Sequence, residues 1–176
     1  MKVVDGGAAG DRLPIPSSLR RHMVDVPGCL ACDLTAGRIP VPGGPIHETD
    51  RWRVEHCVGP LGVGTLVVKP KRHVIRVSEL SAEEAVEQGP LLARCAAVVD
   101  MLLEPEQTYV CLWSHAGGKP VHIHHVVQPV TRSQMDSYGA HGPRLQVEML
   151  SRGELPSLDG VVEFARRARA AFAGAA

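Results

Sequence analysis

An α+β domain built on an antiparallel sheet is the fold class this sequence predicts, and three observations carry the prediction. Val-rich segments at 52–57 and 64–69 flank the turn Gly59-Pro60-Leu61-Gly62, which joins two strands in antiparallel fashion. Ser81 and Glu84 have capping-box spacing ahead of apolar residues at helical intervals from 85 to 103. Two further strand-like runs, 108–113 and 121–130, flank the loop Ser114-His-Ala-Gly-Gly-Lys-Pro120, whose paired glycines suit a backbone that approaches a ligand closely.

The remaining segments follow in order. Residues 1–27 mix Gly, Pro, Ser and Arg without sustained periodicity and read as an irregular N-terminal arm with a short helix near 18–23. Residues 28–176 read as one domain, in which 131–176 form a C-terminal extension. The run Pro40-Val-Pro-Gly-Gly-Pro45 reads as a connecting loop, because proline removes donors and glycine favours turns. Gly89-Pro90 marks a possible break or restart of the long helix. Past Pro129 the chain reads as irregular up to Gly142, then as strand or helix over 144–150, then as an amphipathic helix over 161–172.

At 176 residues, with 44% hydrophobic and 22% charged residues, the chain has the composition of an ordinary soluble domain. Lys+Arg and Asp+Glu both total 19, so no global field favours nucleic acid or an anionic membrane, and nucleic acid is not an expected partner. There is no apolar segment of signal-peptide type and no run near the roughly 20 residues that span a bilayer, so a cytoplasmic protein is expected. The 5 cysteines are an odd count, which argues against a disulfide framework.

Cys29-Leu-Ala-Cys32 places two thiolates where one turn can present both sulfurs to one ion, and zinc prefers four soft or borderline ligands in a tetrahedron. A redox pair or two buried small hydrophobes are the alternatives for the same spacing. His73, at the end of Lys69-Pro-Lys-Arg-His73, and His122, after the glycine loop, are the candidate remaining ligands. The residues by themselves favour a solvated strand-end His73 and a backbone-bonded His122 over a ligand role.

Three landmarks occur in order: Cys29-x-x-Cys32-Asp-Leu-x-Ala-Gly-Arg-Ile-Pro40, Gly64-Thr-Leu-Val-Val-Lys-Pro-Lys-Arg-His73-Val, and His122-Ile-His124 before Pro129. Together they resemble the histidine-triad (HIT) superfamily over about residues 28–130, including its galactose-1-phosphate uridylyltransferase branch. The resemblance implies a HIT-like fold, an antiparallel sheet of about five strands with a long helix packed on one face. It also implies a structural zinc ion held by Cys29, Cys32, His73 and His122, a two-fold homodimer, and a small phosphorylated or anionic partner. With four protein ligands such a zinc has no open position, so chelation is expected to destabilise more than inhibit.

In that family the middle histidine attacks phosphorus to form a nucleotidyl-histidine, and His124 stands there. An imidazole with an ordinary pKa of about 6.5 is largely neutral and nucleophilic near neutrality. Strand alternation puts His122, His124, Val126 and Gln128 on one face and His125 on the other. The third histidine of the triad is replaced by Val126, leaving two candidates to assist: His125 if a β-bulge turns it inward, and His115 from the glycine loop. Lys119, Gly117 and Gly118 are candidate anion binders. Gln128 is a further substrate-binding candidate, although it stands four residues after His124, whereas the uridylyltransferase glutamine stands two after its nucleophile. Cys111, Lys119 and Cys57 occupy the places of the family's Asn, Ser/Thr and ribose-binding Asp, which speaks against an ordinary purine mononucleotide. The expected function is a HIT-like nucleotidyl or phosphoester hydrolase or transferase working through a covalent histidine. The alternatives are a catalytically weakened protein that binds an anionic ligand or a protein partner, and a redox or metal-exchange dithiol.

Overall fold

The computed structural model describes residues 25–114 and 121–174. Five strands, β1 (Pro45–Glu48), β2 (Trp52–His56), β3 (Leu66–Pro70), β4 (Gln107–Trp113) and β5 (His124–Val130), form one sheet in the order β1-β2-β3-β5-β4. Every neighbouring pair is antiparallel, as the predicted hairpin requires. The fold is the expected α+β architecture. A short helix α1 (Leu30–Thr35) begins inside the cysteine pair, and β1 lies partly in the stretch read as a loop.

The long helix α2 (Ala82–Leu103) has the expected capping box, with the Glu84 N–H donating to Ser81 Oγ and the Ser81 N–H to Glu84 Oε2. Pro90 does not interrupt it. The hydrogen bond that Pro90 removes would have ended on the carbonyl of Val86, whose side chain is 76% exposed, so water can serve that carbonyl instead. The Trp52 indole N–H donates to the Glu84 carbonyl and ties the start of α2 to the sheet.

Alternation divides the sheet into two faces. Trp52, Val54, Leu66, Val68 and Val127 pack against Leu91, Cys95, Val98 and Val99 of α2 and against Phe164, Ala165, Ala168 and Phe172 of the last helix, α5 (Leu158–Gly174). Gly64 sits at φ +90°, and a Cβ there would lie 2.2 Å from Leu103 Cδ1, so the turn into β3 admits only glycine without displacing this core.

The other face carries a smaller cluster, Leu61, Val126, Val130, Ala140, Leu145 and Met149, under two helices, α3 (Arg132–Tyr138) and α4 (Gly142–Arg152). The segment read as irregular therefore contains α3, started by a second capping box between Thr131 and Gln134 and ended by Gly139 at φ +59°. The strand-or-helix ambiguity at 144–150 resolves to helix. Leu145, Gln146 and Met149 are buried at helical spacing, and Pro143 sits in the first turn, where its missing N–H costs nothing. No helix among the described residues is long and apolar enough to cross a membrane.

Candidate functional site

The cysteine pair and the two candidate histidines converge, although Cys29 and His122 stand 93 residues apart in sequence. The four donor atoms of Cys29, Cys32, His73 and His122 all lie within 4.8 Å of one another. Cys32 Sγ is 3.4 Å from His73 Nδ1 and 3.6 Å from His122 Nδ1, and Cys29 Sγ is 3.7 Å from His122 Nδ1. A tetrahedron with Zn–S of about 2.3 Å and Zn–N of about 2.0 Å has an S···N edge of about 3.5 Å. The donor set therefore fits zinc in both chemistry and spacing.

The ring orientation agrees. His122 Nε2 lies 3.0 Å from the Pro70 carbonyl, which can only accept, so Nε2 carries the proton and Nδ1 presents its lone pair to the cluster. Burial pushes His122 down to about 4 and the Cys32 thiol up to about 11. The enclosure thus opposes isolated charge on these ligands, and a dication is the species that would stabilise their thiolates. Side chains from the sheet hold the knuckle in place: Lys69 Nζ donates to the Ala31 carbonyl at 3.0 Å and Arg53 to the Thr35 carbonyl at 3.2 Å.

His124 begins β5 and pairs with Trp113, the last residue of β4. Its Nδ1 is 3.1 Å from the backbone carbonyl of His122. The carbonyl accepts, so Nδ1 holds the proton and Nε2 carries the ring lone pair. One residue therefore serves both sites, with its ring turned to the cysteines and its carbonyl turned to His124.

His124 lines a pocket of about 240 Å³. Leu30 and Leu34 from the knuckle, Val67 and Val126 from the sheet, Trp113, and Leu150 from α4 supply its apolar walls. Within that lining stands an ion pair between Lys69 and Glu55, each side chain only 1% exposed. Burial draws Lys69 below the ordinary lysine value, and Glu55 opposes that shift. The sequence reading did not single out Glu55 or the Lys69 side chain as site residues. The signal was present, since each is a charge inside a Val-rich strand at a position that alternation turns away from the helices.

Val126 lies on the face expected for it and is buried in the pocket floor. His125 does not join the pocket. The β4–β5 register runs without a bulge, so His125 keeps to the opposite face, where its Nε2 is 2.8 Å from Gln88 Nε2 of α2 and its ring packs 6.1 Å from that of Trp52. Gln128 is on the pocket side but is consumed by structure. Its amide N–H donates to the Leu61 carbonyl at 3.3 Å, its oxygen accepts from Gln146 at 3.0 Å, and no part of it is exposed. Met149 and Gln146 of α4 cover it. His115, Gly117, Gly118 and Lys119 lie outside the described residues.

No family model matches the chain, and no curated protein matches it significantly. Solved structures do. A Zn-bound histidine-triad family protein from Mycobacterium smegmatis superposes with a TM-score of 0.59 at 20% identity, covering 84% of this chain and 94% of that one. A HIT-like protein from Bartonella henselae involved in cell-cycle regulation gives 0.59 at 16% identity, over 80% and 93%. A hypothetical histidine-triad nucleotide-binding protein from Sulfolobus tokodaii gives 0.62 at 13% identity, over 83% and 93%. At these identities the likeness is one of fold.

Proposed function

We propose that this chain, whose fold is the histidine-triad fold, is a zinc-stabilised hydrolase or transferase of phosphoesters or phosphoanhydrides that works through a covalent adduct on His124. The observation that carries the reading is the tautomer imposed on His124 by the His122 carbonyl, at the edge of a largely apolar pocket. The Nε2 lone pair forms a bond to the substrate phosphorus while the bond to the leaving group breaks. The leaving group departs with that electron pair and takes up a proton. Water or an acceptor hydroxyl then attacks phosphorus, loses its proton, and releases His124 neutral.

Val126 offers no proton, so the acid has to come from elsewhere, and His115 and Lys119 in the glycine loop are the proposed source and the proposed phosphate contact. Zinc, on Cys29, Cys32, His73 and His122, fixes the knuckle and takes no chemical step, because four protein ligands fill a tetrahedron.

The test is turnover of nucleoside phosphoramidates, phosphoesters and sugar nucleotides by zinc-loaded protein beside His124→Ala, with mass spectrometry of the trapped histidine. An adduct and turnover that both vanish in His124→Ala are expected. A native protein that binds ligand without adduct or turnover would select the second reading, a non-catalytic binding protein, which the valine at position 126 favours.

A homodimer belongs to the same proposal. Among the described residues β4 is a sheet edge that pairs only with β5; its Val110 and Leu112 are 47% and 42% exposed, and Met101 of α2 is 60% exposed. A monomer in sedimentation at micromolar concentration would refute it.

A further inference from the structure

We infer that the organic group seated beside His124 is a compact hydrocarbon, an aryl or branched alkyl group carried on a phosphate, and that the pocket disfavours a nucleoside. This rests on the reading of the pocket as a substrate site and adds the chemical class that the site selects.

Three exposed apolar side chains converge on the pocket from separate parts of the chain. Leu30 of α1, Val58 of the turn after β2 and Leu150 of α4 are 52%, 40% and 39% exposed, and all three line it. Leu34, Val67 and Val126 continue the same surface inward. Large apolar side chains left in water around one opening mark a surface that a ligand covers.

The ionisable groups in the same lining are already committed. Lys69 and Glu55 bond to one another, to the Ala31 carbonyl and to Arg53 Nε, and are sealed from solvent. His56 is buried between the Cys57 carbonyl and the Gly64 N–H. Cys29 and His122 belong to the four-ligand cluster, and Cys57 Sγ accepts from the Gly59 N–H at 3.3 Å. Among the described residues, the lining therefore presents hydrocarbon with a half-buried His124 at its edge. A nucleoside seated there would strip water from its ribose hydroxyls and base edge against that hydrocarbon. Each such group left unpaired weakens binding, whereas each methylene buried strengthens it. A volume of about 240 Å³ admits a single or fused ring, with the phosphate outside, toward His124.

The experiment measures calorimetric affinities of full-length, zinc-loaded protein for phenylphosphonate and naphthylphosphonate, whose C–P bond survives phosphoryl transfer. Methylphosphonate serves as the head group alone, and uridine and adenosine 5′-monophosphates as the nucleosides. The aryl compounds should bind about 10- to 100-fold tighter than methylphosphonate, the range that burial of a few ring carbons gives, and tighter than either nucleotide. In Leu30→Asp and Val58→Asp, both at exposed positions, that aryl advantage should fall about tenfold while methylphosphonate affinity holds. The native comparison decides the case if a variant does not fold. Nucleotides that bind as tightly as the aryl compounds, no aryl advantage over methylphosphonate, or an advantage that survives both variants overturns the inference. An aryl preference without a His124 adduct upholds the inference while overturning the covalent reading. A nucleotidyl adduct on His124 without an aryl preference does the reverse.

Discussion

Gln128 is the centre of the buried polar network between β5 and α4, and its replacement tests the second face of the sheet. Its side chain is fully buried, with its N–H on the Leu61 carbonyl, its Nε2 3.2 Å from Met149 Sδ, and its oxygen on Gln146, whose own oxygen accepts from Cys111. Gln128→Met keeps most of the volume and removes the amide, leaving Gln146 Nε2 without its partner, while the Leu61 carbonyl keeps its bond from the Thr65 hydroxyl at 2.8 Å. An orphaned buried group costs about 1–3 kcal/mol, so the variant should lose about that much. Domains of this kind hold only about 5–15 kcal/mol in all, so the loss is a large fraction of the total. Urea unfolding reads the total, and hydrogen exchange should show α4 opening before α2, since α4 is latched to the sheet through this network. A variant within about 0.5 kcal/mol of native that nonetheless binds nucleotide tenfold more weakly would refute the argument and return Gln128 to the substrate site.

Two further outcomes follow from the geometry. Purified protein should carry about one zinc per chain, and its removal, by chelation or in Cys32→Ser, should lower the melting temperature by more than about 5 °C; metal-free protein that melts unchanged would sink the site. His56 is buried, with Nδ1–H donating to the Cys57 carbonyl at 2.8 Å and Nε2 accepting from the Gly64 N–H at 2.9 Å, which only the neutral ring can do. Burial holds its folded pKa below the ordinary 6.5, so the unfolded state binds the proton first. Its contribution is present above about pH 6.5 and is lost as pH falls through the lowered folded value. His56→Gln should be less stable at neutral pH and flatter below 6.5, and an unchanged slope in chemical denaturation across that window would contradict this.

The parts of the fold that are legible in the sequence are those with local causes. The capping box of α2 and the alternation of β2 and β3 are written in neighbouring residues. α3 carries the same capping signature at Thr131 and Gln134 but spans only Arg132–Tyr138, too short for periodicity to show. At 144–150 the pattern is equally readable as strand or helix until Leu145, Gln146 and Met149 meet the sheet. The same division holds for the site. The Cys29–Cys32 spacing is local, while His73 and His122 come together beside it only through the antiparallel pairing of β3 with β5. Alternation correctly put Gln128 on the face of His124, yet what covers that face is decided by α4, a tertiary event. Glu55 and Lys69 show as inward charges on two strands, and only the β2–β3 register makes them a pair.

The expectation that chelation would destabilise more than inhibit separates the metal from the pocket, and the packing argues against that separation. Leu30, Ala31 and Leu34 of the knuckle, together with the ligands Cys29 and His122, line the pocket wall. The Ala31 carbonyl takes one of the three Lys69 donors. The His122 carbonyl sets the tautomer of His124, while the His122 ring is fixed between the cysteines and the Pro70 carbonyl. On the proposed reading, a closed tetrahedral ion would take no part in bond making but would hold the frame that orients His124 and one wall of the pocket. Loss of zinc should therefore weaken ligand binding at temperatures well below the unfolding transition, because the groups it releases include the ones that position His124 and Lys69.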